Sequence, residues 1–281
     1  MSNYQKTGKV ILVGAGPGDP GLLTVKAARF LEKADVVLVD RLVSPKIIEE
    51  YVSSHAEVIP VGKQCGRGAS TPQQLINELI VENALQGKLV VRLKGGDVSV
   101  FSNVLDELKA LVEYDIPYEI IPGITAASGA AAFAGIPLTA RDYSTGVRFL
   151  TYYKSEILSD EYWKELAQTD DTLVFYMSAD SALSVVEKLT SNKINAEKLI
   201  AVIEQATTPN QQVTVSNLYE FPFLPINRKL TSPSLLIIGK VVSLHEEFKW
   251  LENGLSTEEY FEPVTAKLIE YYSGKRKLAT V

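Results

Sequence analysis

The sequence predicts an α/β protein of two domains, and three observations predict it. Apolar runs at 10–13, 36–39, 57–61, 89–93 and 118–121 alternate with helical stretches, the pattern of a sheet covered by helices. A Gly-rich turn follows the first run directly, as in open sheets that bind a ligand at their strand ends. A second set of runs, at 147–152, 172–176, 199–204, 212–215 and 234–238, has thinner helical pattern between its members, mainly over 181–189. That half is therefore strand-rich and can hold an antiparallel part. The expected organisation is an N-terminal α/β domain over 1–138 with Gly-rich loops, a C-terminal α/β domain over 139–245, and a charged, aromatic tail over 246–281. The hinge is expected within 135–141.

The first strand runs into GAGPGDPGLLT, Gly14 to Thr24, which reads as strand, turn and helix start and brings bare backbone close to a ligand. A dinucleotide fingerprint needs a third Gly where this chain has Asp19. A carboxylate there occupies the positive end of a helix and repels a pyrophosphate, so the turn is expected to cradle something else. Asp40 follows the second strand, near where a ribose-binding acid would sit, which keeps a dehydrogenase as an alternative.

After the third strand, VGKQCGRGAS supplies Lys63 and Arg67 among glycines. It is either a solvated loop or a pair of cations for a carboxylate-rich ligand. Thr71, Pro72 and Gln74 then read as an N-cap, a proline at the first helical position and a capping-box partner, and Gly87 ends that helix. The fourth strand leads into RLKGGD. Gly95 and Gly96 admit a ligand to the backbone, and Asp97 can accept from a hydroxyl or amine, with a plain turn as the alternative. Past the fifth strand, Thr125 and Ala126 open a helix of small residues that packing alone would explain. FYM, Phe175 to Met177, ends a strand of the second half; it is core filling, or a thioether and ring suited to a flat ligand or a sulfonium.

Composition excludes several classes. The chain has 281 residues, 46% hydrophobic and 22% charged, with a net charge of -6. That length suffices for a sizeable core, and the acidic balance argues against a general nucleic-acid binder. Cys65 is the single cysteine and His55 and His245 the two histidines, which excludes an intramolecular disulfide and argues against a structural zinc site; no metal is expected. The N-terminus lacks a signal-peptide pattern, so a cytoplasmic location is expected. The long uncharged stretch 120–138 is interrupted by glycine and proline and is expected as a packed helix, with no membrane span.

Taken in order and spacing, VGAGPGDPGLLT, ADVVLVDRLVS, VGK, VRLKGGD, IIPGITAASGAAAFAGIPLT, RDY with VRFLT, TLVFYM and IEQATTP resemble the tetrapyrrole methyltransferases, and within them the branch acting on uroporphyrinogen III. The resemblance extends from Val13 to about Gly239. It implies two α/β domains with S-adenosyl-L-methionine held in the cleft between them, S-adenosyl-L-homocysteine as product, and a homodimer. It also implies two successive methyl transfers to pyrrole carbons, giving precorrin-2, on the way to siroheme and cobalamin. Residue by residue, Pro17, Gly95, Gly96, Asp97, Val100, Thr125, Ala126, Met177 and Ala206 match cofactor contacts. Asp40 and Lys63 fall on positions assigned as proton acceptor and donor. Arg41, Arg67, Arg141 and Arg148 lie near expected loop ends, where they can pair with substrate carboxylates; Asp106 joins them as a substrate-side candidate.

Three departures fall on the substrate side. Where the family continues PFVFGRGGEE, this chain reads VSVFSNVLDE over 98–107. Asn103 replaces an arginine, and Ser102, Val104 and Leu105 replace glycines, so a continuous helix is expected there. Ala140 stands in place of a histidine, and Tyr152 and Tyr153 in place of a Gly-His pair. Methylation of another precorrin-like tetrapyrrole, and a cofactor-binding homologue without turnover, therefore stay open beside the leading reading.

Overall fold

A computed structural model describes residues 7–62, 70–152, 158–224 and 230–261. By contacts they divide into two units: residues up to Thr125 together with Phe261, and Ala126–Tyr260.

The first unit is built on a parallel sheet of β1 (Lys9–Gly14), β2 (Val36–Val39), β3 (Glu57–Pro60), β4 (Leu89–Lys94) and β5 (Tyr118–Ile121), in the order β3-β2-β4-β1-β5. The near-continuous apolar runs follow from burial of the inner strands on both faces, as a parallel sheet requires; Val10 to Val13 are fully buried. On one face, α1 (Val25–Leu31) and α2 (Pro45–Tyr51) place Ala27, Leu31 and Ile47 against Ile11, Val13, Val37, Val91 and Leu93. On the other, α3 (Gln73–Leu85) and α4 (Leu105–Glu113) bring Ile76, Ile80 and Leu111 onto Val10, Leu12, Val36, Leu38 and Val90. The loops after the adjacent strands β1 and β4 thus leave for opposite faces, the arrangement that opens a ligand crevice at strand C-termini.

The helix ends follow local chemistry. Thr24 Oγ1 accepts the Ala27 N–H at 3.2 Å and starts α1. The capping box expected on Thr71 does not form. The first helical residue is Gln73, which puts Pro72 at the cap, and Gln74 donates to Glu78 at 3.0 Å instead. Gly87, at φ +84°, ends α3 as expected.

The second unit carries β6 (Val147–Thr151), β7 (Thr172–Tyr176), β8 (Leu199–Glu204), β9 (Gln212–Asn217) and β10 (Ser234–Gly239), in the order β6-β7-β10-β8-β9. β6 and β7 are parallel, and the other pairings are antiparallel, so the expected antiparallel part is present. One face is covered by α6 (Asp160–Gln168) and α7 (Ala182–Ser191), whose Trp163, Leu166, Val185 and Leu189 pack on Leu150, Leu173, Phe175 and Val202. Trp163 stacks on Phe175 with ring centroids 6.0 Å apart. The sequence reading missed α6; its signals are Ser159, whose hydroxyl accepts from Tyr162 N–H at 3.3 Å, and the acidic first turn behind it.

The contact division falls earlier than the expected boundary at 138/139 because α5 (Ala126–Phe133) belongs to the second unit. The Tyr176 hydroxyl accepts the Ala127 N–H at 3.1 Å, and Trp250 Nε1 donates to Ala132 O at 2.8 Å. Residues 246–260, expected as part of a tail, continue α8 (His245–Phe248) and then form a strap along β9. Val213 N–H donates to Asn253 Oδ1 at 2.7 Å and Asn253 Nδ2 donates to Val213 O at 3.2 Å, which occupies groups an edge strand would leave open. Among the described residues no helix is long and apolar enough to cross a membrane.

Candidate active site

Four loops converge at the C-terminal end of the first sheet. Gly16 and Gly96 exchange backbone hydrogen bonds of 3.1 and 2.8 Å, joining the loop after β1 to the loop after β4. The loop after β5 packs on both: a Cβ on Gly123 would lie 2.4 Å from Gly96 O, and one on Gly14 would lie 2.5 Å from Gly123 N. Only glycine permits backbones this close. Gly95 does the same toward the loop after β2, since a Cβ there would stand 2.7 Å from Leu42 O. Pro17, buried, Asp40 and residues 95–97 are brought together by these contacts.

Asp97 works as a clamp within this cluster. It is 8% exposed; Oδ2 accepts the Gly123 N–H at 2.9 Å, and Oδ1 accepts the Ser99 N–H at 2.8 Å and the Ser99 hydroxyl. Burial pushes the carboxyl upward, but these bonds, with the Val100 N–H, outweigh it and hold the group below its ordinary value. Val100 thus takes part through its backbone. Asp19 accepts the Gly21 N–H at 2.8 Å, occupying an amide that a diphosphate would need.

Asp40 ends on a buried array of charge that the sequence reading did not assign. Arg92 and Lys94, two residues apart on β4, point to the side where α4 brings Glu107. Arg92 bonds Asp40 through Nη2 and Glu107 through Nε at 2.8 Å, and Lys94 donates to the other oxygen of Glu107 at 2.8 Å. Burial works against the Arg92 charge, yet Asp40 and Glu107 together raise its pKa further. Burial and then the Arg92 charge lower that of Lys94, against the pull of Glu107.

The segment 98–104 is not the continuous helix that was expected. α4 begins at Leu105, and Phe101 and Asn103 take left-handed backbone, at φ +51° and +53°. Asparagine is among the few residues that adopt this conformation readily, so the change at 103 has a backbone rationale once the neighbouring glycines are gone. Its amide donates to Asp106 at 3.2 Å.

In the second unit, β6, β7 and β8 all end at one edge of the sheet, where Ser234 starts β10. Met177 and Ala206 follow β7 and β8 there. Met177 is 53% exposed with left-handed backbone at φ +54°, and Gln205 and Thr207, flanking Ala206, are left-handed too. Such strain in bulky residues gathers at functional sites. The Tyr176 hydroxyl, bonded to Ala127 N, ties this edge to the first turn of α5 and so to Ala126. Thr125 closes the first unit.

The substrate-side candidates part company. Arg141 is exposed on the turn between Ala140 and Ser144 and has no ion-pair partner among the described residues. Arg148 sits at the other end of the sheet: it pairs in register with Leu173, whereas Met177 lies past Tyr176. Its guanidinium is engaged by Asp171 and Glu165 at 2.6 Å each and by Thr169 at 3.3 Å, bonds that raise its pKa. We therefore leave Arg148 out of the substrate set. Arg41 directly follows Asp40, and Asp106 opens α4. Lys63 and Arg67 lie outside the described residues.

The first sheet and the Gly-rich loops gathered at its strand ends define an α/β protein with a backbone-lined candidate ligand site. The profile of the tetrapyrrole (corrin/porphyrin) methylases matches residues 9–222, and the chain belongs to that family of methyltransferases. The chain is 46% identical over 245 residues to a siroheme synthase of Ectopseudomonas mendocina, covering 87% of this chain and 53% of the relative. It thus spans about half the length of the curated relatives it matches. A uroporphyrin-III C-methyltransferase structure from Thermus thermophilus superposes with a TM-score of 0.72 at 35% identity, covering 88% of this chain and 99% of that one. Another from that organism, complexed with S-adenyl homocysteine, gives 0.69 at 32% identity, over 84% of this chain and 100% of the other.

Proposed function

We propose that this tetrapyrrole methyltransferase transfers methyl groups from S-adenosyl-L-methionine to two pyrrole carbons of uroporphyrinogen III in succession, giving precorrin-2. The observation that carries the reading is Asp40, part-exposed beside the backbone cradle of residues 95–97.

The chain's groups fit the cofactor better than a dinucleotide. Asp19 already occupies an amide at the first turn, while residues 14–16, 95–96 and 123 meet through backbone alone. In the first unit we assign Pro17, Gly95, Gly96, Asp97, Val100 and Thr125 to cofactor binding, with Asp97 acting by holding the loops. In the second unit we assign Ala126, Met177 and Ala206, with Met177 an exposed residue. When bound, the cofactor supplies a methyl group already activated on a sulfonium. The protein's task is then alignment, for which well-positioned partners gain up to about 7–11 kcal/mol.

Methylating a pyrrole carbon that already bears a carboxylate arm makes it quaternary and leaves the ring cationic; charge is restored by loss of a proton from elsewhere in the macrocycle, and Asp40 accepts it. Lys63 is the proton donor that the family resemblance implies. Arg41, Arg67 and Arg141 pair with the substrate carboxylates, each shielded charged bond contributing roughly 1.5–3 kcal/mol. A homodimer is part of the same proposal, checked by sedimentation.

The test is incubation with uroporphyrinogen III and methyl-labelled cofactor, followed by mass analysis. A product heavier by two labelled methyl groups supports the reading, and one methyl group would limit it to a single transfer. No labelled tetrapyrrole, with cofactor binding intact, would overturn it in favour of a binding protein.

A further inference from the structure

We infer that Arg92 is a positioning residue for Asp40, and that Glu107 on α4 fixes the plane in which Arg92 holds it. The inference rests on the reading that Asp40 accepts the proton.

Arg92 lies within the first sheet with its side chain 2% exposed. Each guanidinium nitrogen has an acceptor: Nε donates to Glu107 Oε1 at 2.8 Å, Nη1 to the Leu38 and Leu93 carbonyls at 3.3 and 3.1 Å, and Nη2 to Asp40 Oδ1. Lys94 takes the second Glu107 oxygen. The array balances two cations against two anions. Stability is a weak reason for such an arrangement, because apolar residues of similar volume commonly serve as well or better.

Exposure shows what the array is built toward. The side chains of Arg92, Lys94 and Glu107 are 2%, 4% and 0% exposed, whereas Asp40 is 27% exposed. Asp40 is the one member that can meet a ligand. A carboxylate on a loop turns freely about its side-chain bonds, and pinning Oδ1 from below leaves Oδ2 as the oxygen offered outward. Among the described residues no other group bonds that carboxylate. Its orientation therefore follows from how β4 packs on α4. A lysine at 92 keeps the charge but cannot bond Asp40, Glu107 and two carbonyls in one plane.

The experiment measures turnover against pH for the wild type, Arg92→Lys, Glu107→Gln and Asp40→Asn, with cofactor affinity and thermal stability alongside. The charged groups facing Asp40 from β4 and α4 are Arg92, Lys94 and Glu107, with Arg41 its neighbour in the chain. Arg92→Lys is expected to lower kcat by roughly 100-fold at unchanged KM and cofactor affinity. It should also move the acid limb of the profile upward, because Asp40 loses the charged hydrogen bond from Nη2. Glu107→Gln leaves Asp40 as the sole carboxylate on Arg92 and should move that limb downward.

If both variants lose stability while the acid limb stays in place, the array is structural and the inference is overturned. If Arg92→Lys does not fold, the direction of the shift in Glu107→Gln decides. Wild-type turnover in Asp40→Asn overturns the reading of Asp40 and this inference with it. An inactive Asp40→Asn beside unshifted Arg92 and Glu107 variants overturns this inference alone.

Discussion

Asp97 accepts the Gly123 N–H at 2.9 Å, so a carboxylate from the loop after β4 holds the loop after β5 in place. The same side chain caps Ser99, which makes Asp97 a joint between two stretches of the candidate site. Asp97→Ala should cost about 1–3 kcal/mol, since it strands the part-buried Gly123 N–H. Cofactor affinity should fall with it. Calorimetric titration with S-adenosyl-L-homocysteine and thermal melts check both; unchanged affinity would limit Asp97 to a structural role.

The pH dependence of this joint has a definite sign. The folded-state pKa of Asp97 is depressed, so its contribution is complete above the ordinary carboxylate value, about 3.9, and is lost as pH falls through the folded value. Asp97→Asn should therefore be less stable than wild type at pH 6, with the difference narrowing below about pH 4. Parallel acid-unfolding curves would contradict the assignment.

Met177 combines exposure with left-handed backbone, a conformation that costs roughly 1–2 kcal/mol in a residue with a side chain. Met177→Gly should raise thermal stability and yet weaken cofactor binding by about 1 kcal/mol, the scale of a thioether contact. Melting curves and titration give the two readouts. Should both improve, Met177 has no part in binding.

Arg141 and Arg148 separate by geometry. Arg148 is held by Asp171 and Glu165 at partly exposed positions, where ion pairs contribute about 0–1 kcal/mol. Arg148→Ala should shift stability slightly and leave KM for uroporphyrinogen III alone. Arg141→Ala should raise that KM by roughly 10-fold or more. Equal KM effects would restore Arg148 to the substrate set.

All ten strands were legible because each is a short apolar run bounded by turn residues, and their ends moved by a residue or two at most. The loops at the strand ends were legible through their glycines. α6 was missed because its apolar residues, Tyr162, Trp163, Leu166 and Ala167, sit in a short charged stretch. The Asp40 array was hidden for a different reason. Arg92 and Lys94 had no role assigned from the sequence, and Glu107, fifteen residues beyond Arg92, joins them only when α4 packs on the sheet. Alternation along a strand shows that two cations share a face but not that the face is buried.

The last prediction concerns Asn103, where the family resemblance calls for arginine. Left-handed backbone at this position means that Asn103→Arg brings a steric cost of about 1 kcal/mol and gives up the bond to Asp106. Against this, a guanidinium facing a polycarboxylate gains roughly 1.5–3 kcal/mol per shielded bond. The gain exceeds the cost, so KM for uroporphyrinogen III should fall while thermal stability drops. Asn103→Gly separates the two effects: glycine removes the side chain without the strain, so stability should hold and KM should not improve. If Asn103→Arg leaves KM unchanged, position 103 does not reach the substrate in this chain, and Arg141 and Arg41 become the first cations to remove.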